Sequence, residues 1–233
     1  IIIRGDDVKH ITRALRLGEG DEITAADGRG TSYLVELTYT DDKVVEGAIK
    51  QELDWSVEPE LEVTLIQGLP KKKKKMDLVV QKATELGVKT IVPLLSERTV
   101  VKLSDSKAKK RQNRWQKIAR EAAKQCKRTR IPKIKPVVQF NELKSVVAEP
   151  DLTLLPWVEE ESLAWEAAFA PGSVESIGVI IGPEGGFSSS EVETARELGC
   201  KPVSLGPRTL RSETAGITAV ALALYQAGDL GRV

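Results

Sequence analysis

The stretch SIGVIIGPEGGFSSSEVETARELGCKPVSLGPRTLRSETAGITAVALALYQA, residues 176–227, decides the fold. It opens on an apolar run, Ile177–Ile181, of strand length, which stops at the glycine-rich turn Gly182–Gly186. SSSEVETAREL then has helical period, with Ser190 and Glu193 spaced as a capping box and Gly199 as the stop. PVSL is a second strand, LGPRTLRSET a second turn, and SETAGITAVALALYQA an apolar helix. Strand, turn and helix twice over predict an α/β fold with a parallel sheet covered on both faces.

The pattern extends upstream to Leu61. LEVTLIQGL and TIVPLL are apolar strands. Between them Met76, Val79, Val80, Ala83 and Leu86 recur at helical spacing, and Gly87 suits the C-terminal cap. A long helix is expected over roughly 107–127, with Trp115, Ile118, Ala119, Ala122 and Cys126 as its apolar stripe. Pro132 and Pro136 bracket an extended segment, and short helices and strands lead on to residue 176. Residues 1–58 read differently, as a small β-rich domain with an early helix, VKHITRAL. GEGDEITAADGRGTSYLVELTYT predicts two strands joined by a turn at Asp27-Gly28, and VVEGAIKQEL a third. The linker is placed in DWSVEPE, which leaves residues 59–233 as the second domain.

Charge is balanced overall but not locally. The chain has 233 residues and a net charge of +1. Between Lys71 and Lys135 there are 22 basic residues against 5 acidic, a net +17, while the other 13 basic and 29 acidic residues net −16. A basic block of this kind points to a polyanion, RNA or another nucleic acid. The helix after Lys107 carries much of it: Arg114, Lys117, Arg120, Lys124, Lys127 and Arg128 lie opposite Trp115 and Ile118. His10, Arg13 and Arg16 form a smaller cluster at helical spacing. With aromatic residues at 4%, broad base-stacking platforms are not expected.

Other classes fall away. No run approaches the 18 apolar residues of a membrane helix. IIIRGDD lacks the features of a secretory signal, and the start at Ile1 leaves room for absent leading residues. Cys126 and Cys200 match no metal spacing and read as free buried thiols of a reducing compartment, and one histidine, His10, is too few for common zinc sites. No metal is expected.

The two turns of the opening stretch are where chemistry belongs. Both follow strands and precede helices, where ligands of open parallel sheets bind. Gly182, Gly185 and Gly186 let backbone approach a ligand, though their spacing is not the nicotinamide fingerprint. Arg208 and Arg211 can grip a phosphate or carboxylate, with Glu213 near enough to pair with one of them.

Taken in order, HITRALRLGEGDEI, KMDLVVQKATELGV, IVPLLSERTV, RWQKIAREAAKQCKRTRIPKI, IGPEGGFSSSEV and SLGPRTLRSETA resemble the RsmE family of the SPOUT superfamily, the 16S rRNA (uracil-1498-N3)-methyltransferases. The resemblance implies a SPOUT-type sheet with a C-terminal trefoil knot, a PUA-like β-barrel at the N-terminus, and a cytoplasmic homodimer. It implies S-adenosyl-L-methionine as cofactor and small-subunit ribosomal RNA or the 30S particle as substrate, with no membrane or DNA partner.

Carried onto this chain, the cofactor loops are Leu155 and Pro156, then Gly182, Pro183, Glu184, Gly185 and Gly186, then Leu205, Gly206, Arg208 and Leu210. Arg211 and Glu213 fall near the reacting centre or the dimer seam. Arg208 or Arg211 supplies positive field to the uracil, and Glu213 is a candidate proton acceptor. His10, Arg13, Arg16, Arg120, Glu121, Lys124, Gln125 and Arg128 are the expected RNA contacts. The chain departs from the family's habit at Cys126-Lys127, often Ser-Gly, and at Trp157, often histidine or another polar residue. A ribose 2′-O-methyltransferase of the same superfamily and a non-catalytic assembly protein that binds ribosomal RNA are the alternatives.

Overall fold

The computed structural model describes residues 1–54 and 57–231. Of the expected linker, Trp55 and Ser56 lie outside the described residues. The chain forms two compact units: Ile1–Glu58 joined by Lys127–Arg130, and Pro59–Cys126 joined by the chain from Ile131 onward.

The first unit contains β1 (Ile2–Arg4), α1 (Asp6–Lys9), a π-turn (His10–Ala14), β2 (Glu22–Ala26), β3 (Ser32–Thr40) and β4 (Val44–Leu53). The strands form one antiparallel sheet in the order β1-β4-β3-β2. Irregularities in the β3–β4 register at Leu34/Val35 and Leu37/Tyr39 add local twist. Its inward side chains pack on α1 and the π-turn, around Val8, Ile11, Leu37 and Val45. The β2–β3 turn is longer than Asp27-Gly28. Asp27 Oδ1 accepts the amides of Arg29, Gly30 and Thr31 at 2.7, 3.1 and 3.1 Å, so one carboxylate organises the whole loop. The helical spacing expected to align Arg16 with His10 fails, because Arg16 is left-handed (φ 57°) and lies past the π-turn.

The short segment after the long helix completes this unit. Gly30 N–H donates to the Thr129 carbonyl at 3.1 Å, and Arg130 pairs with Gly28 and Arg29. Arg128, expected on an RNA-facing surface, is instead buried. Its guanidinium donates through Nε (3.1 Å) and Nη2 (2.6 Å) to Glu58 Oε2. The left-handed Lys127 (φ 60°) breaks the helix before Arg128, so the helical face that presents Lys124 does not continue to it.

The second unit runs β5 (Glu62–Gly68), α2 (Lys73–Leu86), β6 (Thr90–Leu95), α3 (Asp105–Gln125), β7 (Lys133–Ile134), β8 (Val138–Gln139), α4 (Leu143–Val147), β9 (Leu152–Pro156), β10 (Ser176–Ile181), α5 (Ser189–Glu197), β11 (Lys201–Val203) and α6 (Ser212–Ala227). All its strand pairs are parallel, in the order β11-β9-β10-β5-β6-β7, with β8 also on β6.

Alternate residues of each central strand feed opposite faces. Leu65 and Val179 join Val79, Trp115 and Val220 of α2, α3 and α6. Ile66 and Ile180 join Leu143 and Val192 of α4 and α5. That two-sided burial is why the strands are continuously apolar, and each fully buried leucine or isoleucine is worth about 1.5–3 kcal/mol.

Two expectations are corrected. The α5 capping box is Ser188 with Glu191, not Ser190 with Glu193, because the helix begins at Ser189 and places its cap one residue earlier. Cys200 is buried, whereas Cys126 sits at the C-cap of α3 and is partly exposed; both thiols are free. Among the described residues no helix is long and apolar enough to cross a membrane.

Candidate active site

Because β5, β6, β9, β10 and β11 run parallel, their carboxyl ends share one edge of the sheet, and a cavity of about 510 Å³ opens there. Its wall is Pro156–Glu159 after β9, Ile181–Phe187 at the end of β10, and Leu205, Gly206 and Arg208–Ser212 after β11. Lys75, at the start of α2, Arg98, after β6, and Ser204 and Ala215 also line it. The two turns singled out in the sequence therefore meet in one cavity.

Close backbone packing sets this geometry. A Cβ on Gly68, the last residue of β5, would stand 2.5 Å from the Pro183 nitrogen and 2.8 Å from the Ile181 carbonyl oxygen. Only glycine lets β5 end so close to the β10 turn. Gly186 (φ 68°) reverses that turn in a region side chains avoid. Beneath the turns, the fully buried Gln67 donates through Nε2 to Ser212 Oγ at 2.9 Å, and Ser212 Oγ donates to the Gly182 carbonyl at 2.5 Å. The start of α6 is thereby tied to the first residue of the glycine turn.

A second set of bonds ties the loop after β6. Glu191 accepts the amide of Glu97 at 2.8 Å and that of Ser188 at 3.0 Å. Arg98 Nη1 donates to the Gly185 carbonyl at 3.1 Å.

Charge at the rim is sorted. Lys75 Nζ lies 3.1 Å from Glu184 and 3.1 Å from Glu213. Hydrogen bonds to Glu213 and then Glu184 raise the Lys75 pKa above the usual lysine value, so the ammonium stays charged. At Glu184, burial pushes the carboxyl up. The amide of Lys71 and the ammonium of Lys75 more than offset this, and its pKa is lowered. Arg208 and Arg211 are exposed and have no carboxylate partner among the described residues. The pairing expected between Glu213 and an arginine is thus replaced by one with Lys75, 138 positions earlier in the chain.

Most expected cofactor residues line the cavity: Pro156, Gly182, Pro183, Glu184, Gly185, Gly186, Leu205, Gly206, Arg208 and Leu210. Leu155 does not, because its side chain is fully buried in the core with Ile66 and Ile180. Arg211 lines the cavity, while Glu213 stands behind Lys75. His10, Arg13 and Arg16 are exposed on the first unit, with Arg13 paired to Asp42 at 2.9 Å. Arg120, Glu121, Lys124 and Gln125 are exposed on α3. Sequence reading missed Lys75 and Arg98 as wall residues, although each follows a strand whose carboxyl end is the binding edge. It also missed the buried pair Gln67 and Ser212, whose polar side chains inside apolar patterns were the available signal.

The fit to an adenosyl amino acid rests on this wall. The volume falls in the roughly 300–1,000 Å³ range of small-molecule sites. Trp157, Leu205 and Leu210 offer apolar surface, and the glycine turns offer backbone groups that can face the adenosyl end.

Residues 57–224 match the RNA methyltransferase domain family, and residues 3–50 the RNA methyltransferase PUA domain family. The ribosomal RNA small subunit methyltransferase E of Bacillus subtilis is 35% identical, with 96% of this chain and 89% of the relative covered. Its namesake in Aquifex aeolicus is 34% identical, with 95% and 93% covered. The enzyme of that name from Neisseria gonorrhoeae, solved bound to S-adenosyl methionine, is 31% identical and superposes with a TM-score of 0.85 over 97% of this chain and 91% of its own. A putative methyltransferase from Legionella pneumophila, solved with S-adenosylmethionine, is 32% identical with the same TM-score and coverage. The chain belongs to the ribosomal RNA small subunit methyltransferase E family.

Proposed function

We propose that this chain transfers a methyl group from S-adenosylmethionine to N3 of a uridine in small-subunit ribosomal RNA, the uracil-1498 of its family. The observation that carries the reading is the meeting of the β9, β10 and β11 turns in one glycine-walled cavity ringed by Lys75, Arg98, Arg208 and Arg211. We assign a homodimer in the cytoplasm as the working unit, with the C-terminal segment threaded as a trefoil knot; family membership supports these assignments.

When bound, S-adenosylmethionine supplies a methyl group already activated by its sulfonium charge. The chain's own residues align and stabilise. The wall from Gly182 to Gly186 and from Leu205 to Leu210 would hold the adenosyl end through backbone groups and apolar side chains. Uracil N3 is a weak nucleophile until its proton leaves to solvent water, and negative charge then spreads onto the ring oxygens. Arg208 and Arg211, without a carboxylate partner among the described residues, place positive field where that charge develops. Lys75, kept charged by Glu213 and Glu184, adds to the field from the start of α2. Glu213 acts through Lys75, fixing its position. The exposed basic face of α3, with Arg120 and Lys124, and the His10, Arg13 and Arg16 cluster contact RNA phosphates.

The test is transfer of labelled methyl to 30S subunits and to deproteinised RNA, with the product nucleoside separated afterwards. N3-methyluridine is expected. A 2′-O-methylated nucleoside, or no transfer to either substrate, overturns the assignment.

A further inference from the structure

A second concavity lies on the outer face of the second unit, between α2 and α3. It holds about 570 Å³ and does not share a wall residue with the cavity at the strand ends. From α2 it takes Lys74, Asp77, Leu78 and Gln81, a stripe at i, i+3, i+4 and i+7. From α3 it takes a matching stripe from Arg114 to Gln125. Arg114 grips Asp77 with both Nε (3.2 Å) and Nη2 (2.7 Å), which fixes the two helices in register at one end. Gln81 and Gln125 belong to the other end.

Three features are unspent. Lys74 and Lys117 have no ion-pair partner among the described residues, and the side-chain amides of Gln81 and Gln125 have no hydrogen bond among them. Leu78 is 41% exposed on the floor, a large apolar side chain left uncovered. Free cations, free amide forks and an apolar floor are what a strand of nucleic acid uses: phosphates on the lysines, base edges on the amides, base faces on the leucine. Packed helix axes lie roughly 8–10 Å apart, so a groove between two of them admits one strand and not a duplex. The surrounding surface is basic, with Lys71, Lys72, Lys73 and Arg120 exposed, which favours a polyanion such as RNA over a neutral or basic protein partner.

The groove also starts where the catalytic cavity ends. Lys75 lines the cavity and Lys74 lines the groove, one residue apart at the start of α2. We infer that the α2–α3 groove is a second nucleotide-binding site, which holds two or three unpaired nucleotides flanking the target uridine while that uridine occupies the strand-end cavity. The length fits: the twelve residues of α3 from Arg114 to Gln125 span roughly 16 Å, the reach of a few extended nucleotides. The inference rests on the methyltransferase reading of the neighbouring cavity and adds the path of its RNA.

The experiment uses the full chain and a fluorescein-labelled single-stranded RNA 12-mer containing one central uridine. Binding is followed by anisotropy across a salt series for wild type, for Lys74→Glu with Lys117→Glu, and for Gln81→Ala with Gln125→Ala. All four positions are on the surface groove, and melting curves confirm that each variant folds. The charge reversal is expected to weaken binding at least tenfold at low salt and to flatten the slope of log K against log salt by about 1.4, the value for two lost single-strand phosphate contacts. The amide pair is expected to lower affinity for the 12-mer but not for an abasic oligomer of equal length.

Unchanged RNA affinity in both pairs overturns the inference. So does a shift of either variant from dimer to monomer in sedimentation, which would make the groove a contact between copies. Stabilisation of wild type by S-adenosylhomocysteine is read in parallel. If it is absent, the cavity reading fails; if it is present in wild type and variants while RNA binding is unchanged, only the groove inference fails.

Discussion

Glu58 and Arg128, 70 residues apart, form a buried two-point ion pair whose side chains are 10% and 4% exposed. Glu58 also accepts the Arg130 amide at 2.9 Å, so one carboxylate ties both Arg128 and Arg130 into the first unit. Removing one partner of such a pair leaves a buried charge unpaired, at a cost of about 3–5 kcal/mol. Arg128→Ala is expected to lower the urea midpoint accordingly, while Arg128→Met together with Glu58→Leu loses much less. A fragment ending at Glu58 is expected to lack the cooperative unfolding of the full chain. Equal stability of the single and double variants, by urea titration, would remove the pair from the account.

Arg211, at the N-cap of α6, and Lys75, in the first turn of α2, line the same cavity, and the mechanism asks them for the same kind of help. Arg211→Ala is expected to reduce kcat by about 10²-fold, the scale seen on removing one preorganised donor. Its affinity for S-adenosylhomocysteine should fall much less. Lys75→Ala should do likewise, and Glu213→Gln should reproduce a milder form of the loss, because it frees Lys75 without removing it. Single-turnover methylation measured beside calorimetric binding separates the two effects. Full activity in Arg211→Ala would leave the electrostatic role without support.

The difference between those pairs and the helices that carry them marks what the sequence made legible. The final helix, Ser212–Ala227, and the strands Thr90–Leu95 and Val44–Leu53 follow from period and turn chemistry, because burial imposes the period within a single element. The glycine turns were legible as strand exits. Lys75 with Glu213, and Glu58 with Arg128, were not. Each pair joins residues 70 or more apart in the chain, and a lone charge in a basic block looks the same whether it faces water or a buried carboxylate. The β2–β3 turn sits where Asp27-Gly28 placed it, but its length was not legible, because only the bonds from Asp27 to the next amides reveal the longer loop.

Stability should fall in acid in a defined way. Asp41 accepts the amides of Lys43 at 2.7 Å and Val44 at 2.6 Å, which hold its pKa below the ordinary 3.8. Asp151 is held low by the Ser176 hydroxyl, then by the amides of Ser176 and Glu175. A carboxylate with a depressed folded pKa contributes stability that is complete above its unfolded value and drains as pH falls through the folded one. The urea midpoint is therefore expected to be flat near neutrality and to drop below pH 4. Asp41→Asn with Asp151→Asn should start lower and show a shallower drop. An unchanged acid limb in the double variant would show that these turns do not govern it.

Gly68→Ala is the sharpest test of how the site is built. Its Cβ would meet the Pro183 nitrogen at 2.5 Å, the Gly182 carbonyl carbon at 2.7 Å and the Ile181 carbonyl oxygen at 2.8 Å. All three are backbone atoms, so no side chain can swing aside, and relief must come from parting β5 from the β10 turn. Overpacking of this kind costs about 1–3 kcal/mol or more. The displaced residues are the cavity wall itself, so affinity for S-adenosylhomocysteine should fall together with stability. Gly18→Ala is the control: its Cβ would meet nothing within 4 Å, and it should leave both quantities nearly unchanged. Thermal unfolding with and without the ligand reads the two at once. A Gly68→Ala protein that melts lower yet keeps its full ligand-induced shift would mean that the close approach of β5 to the turn serves packing alone, and that the cavity is shaped elsewhere.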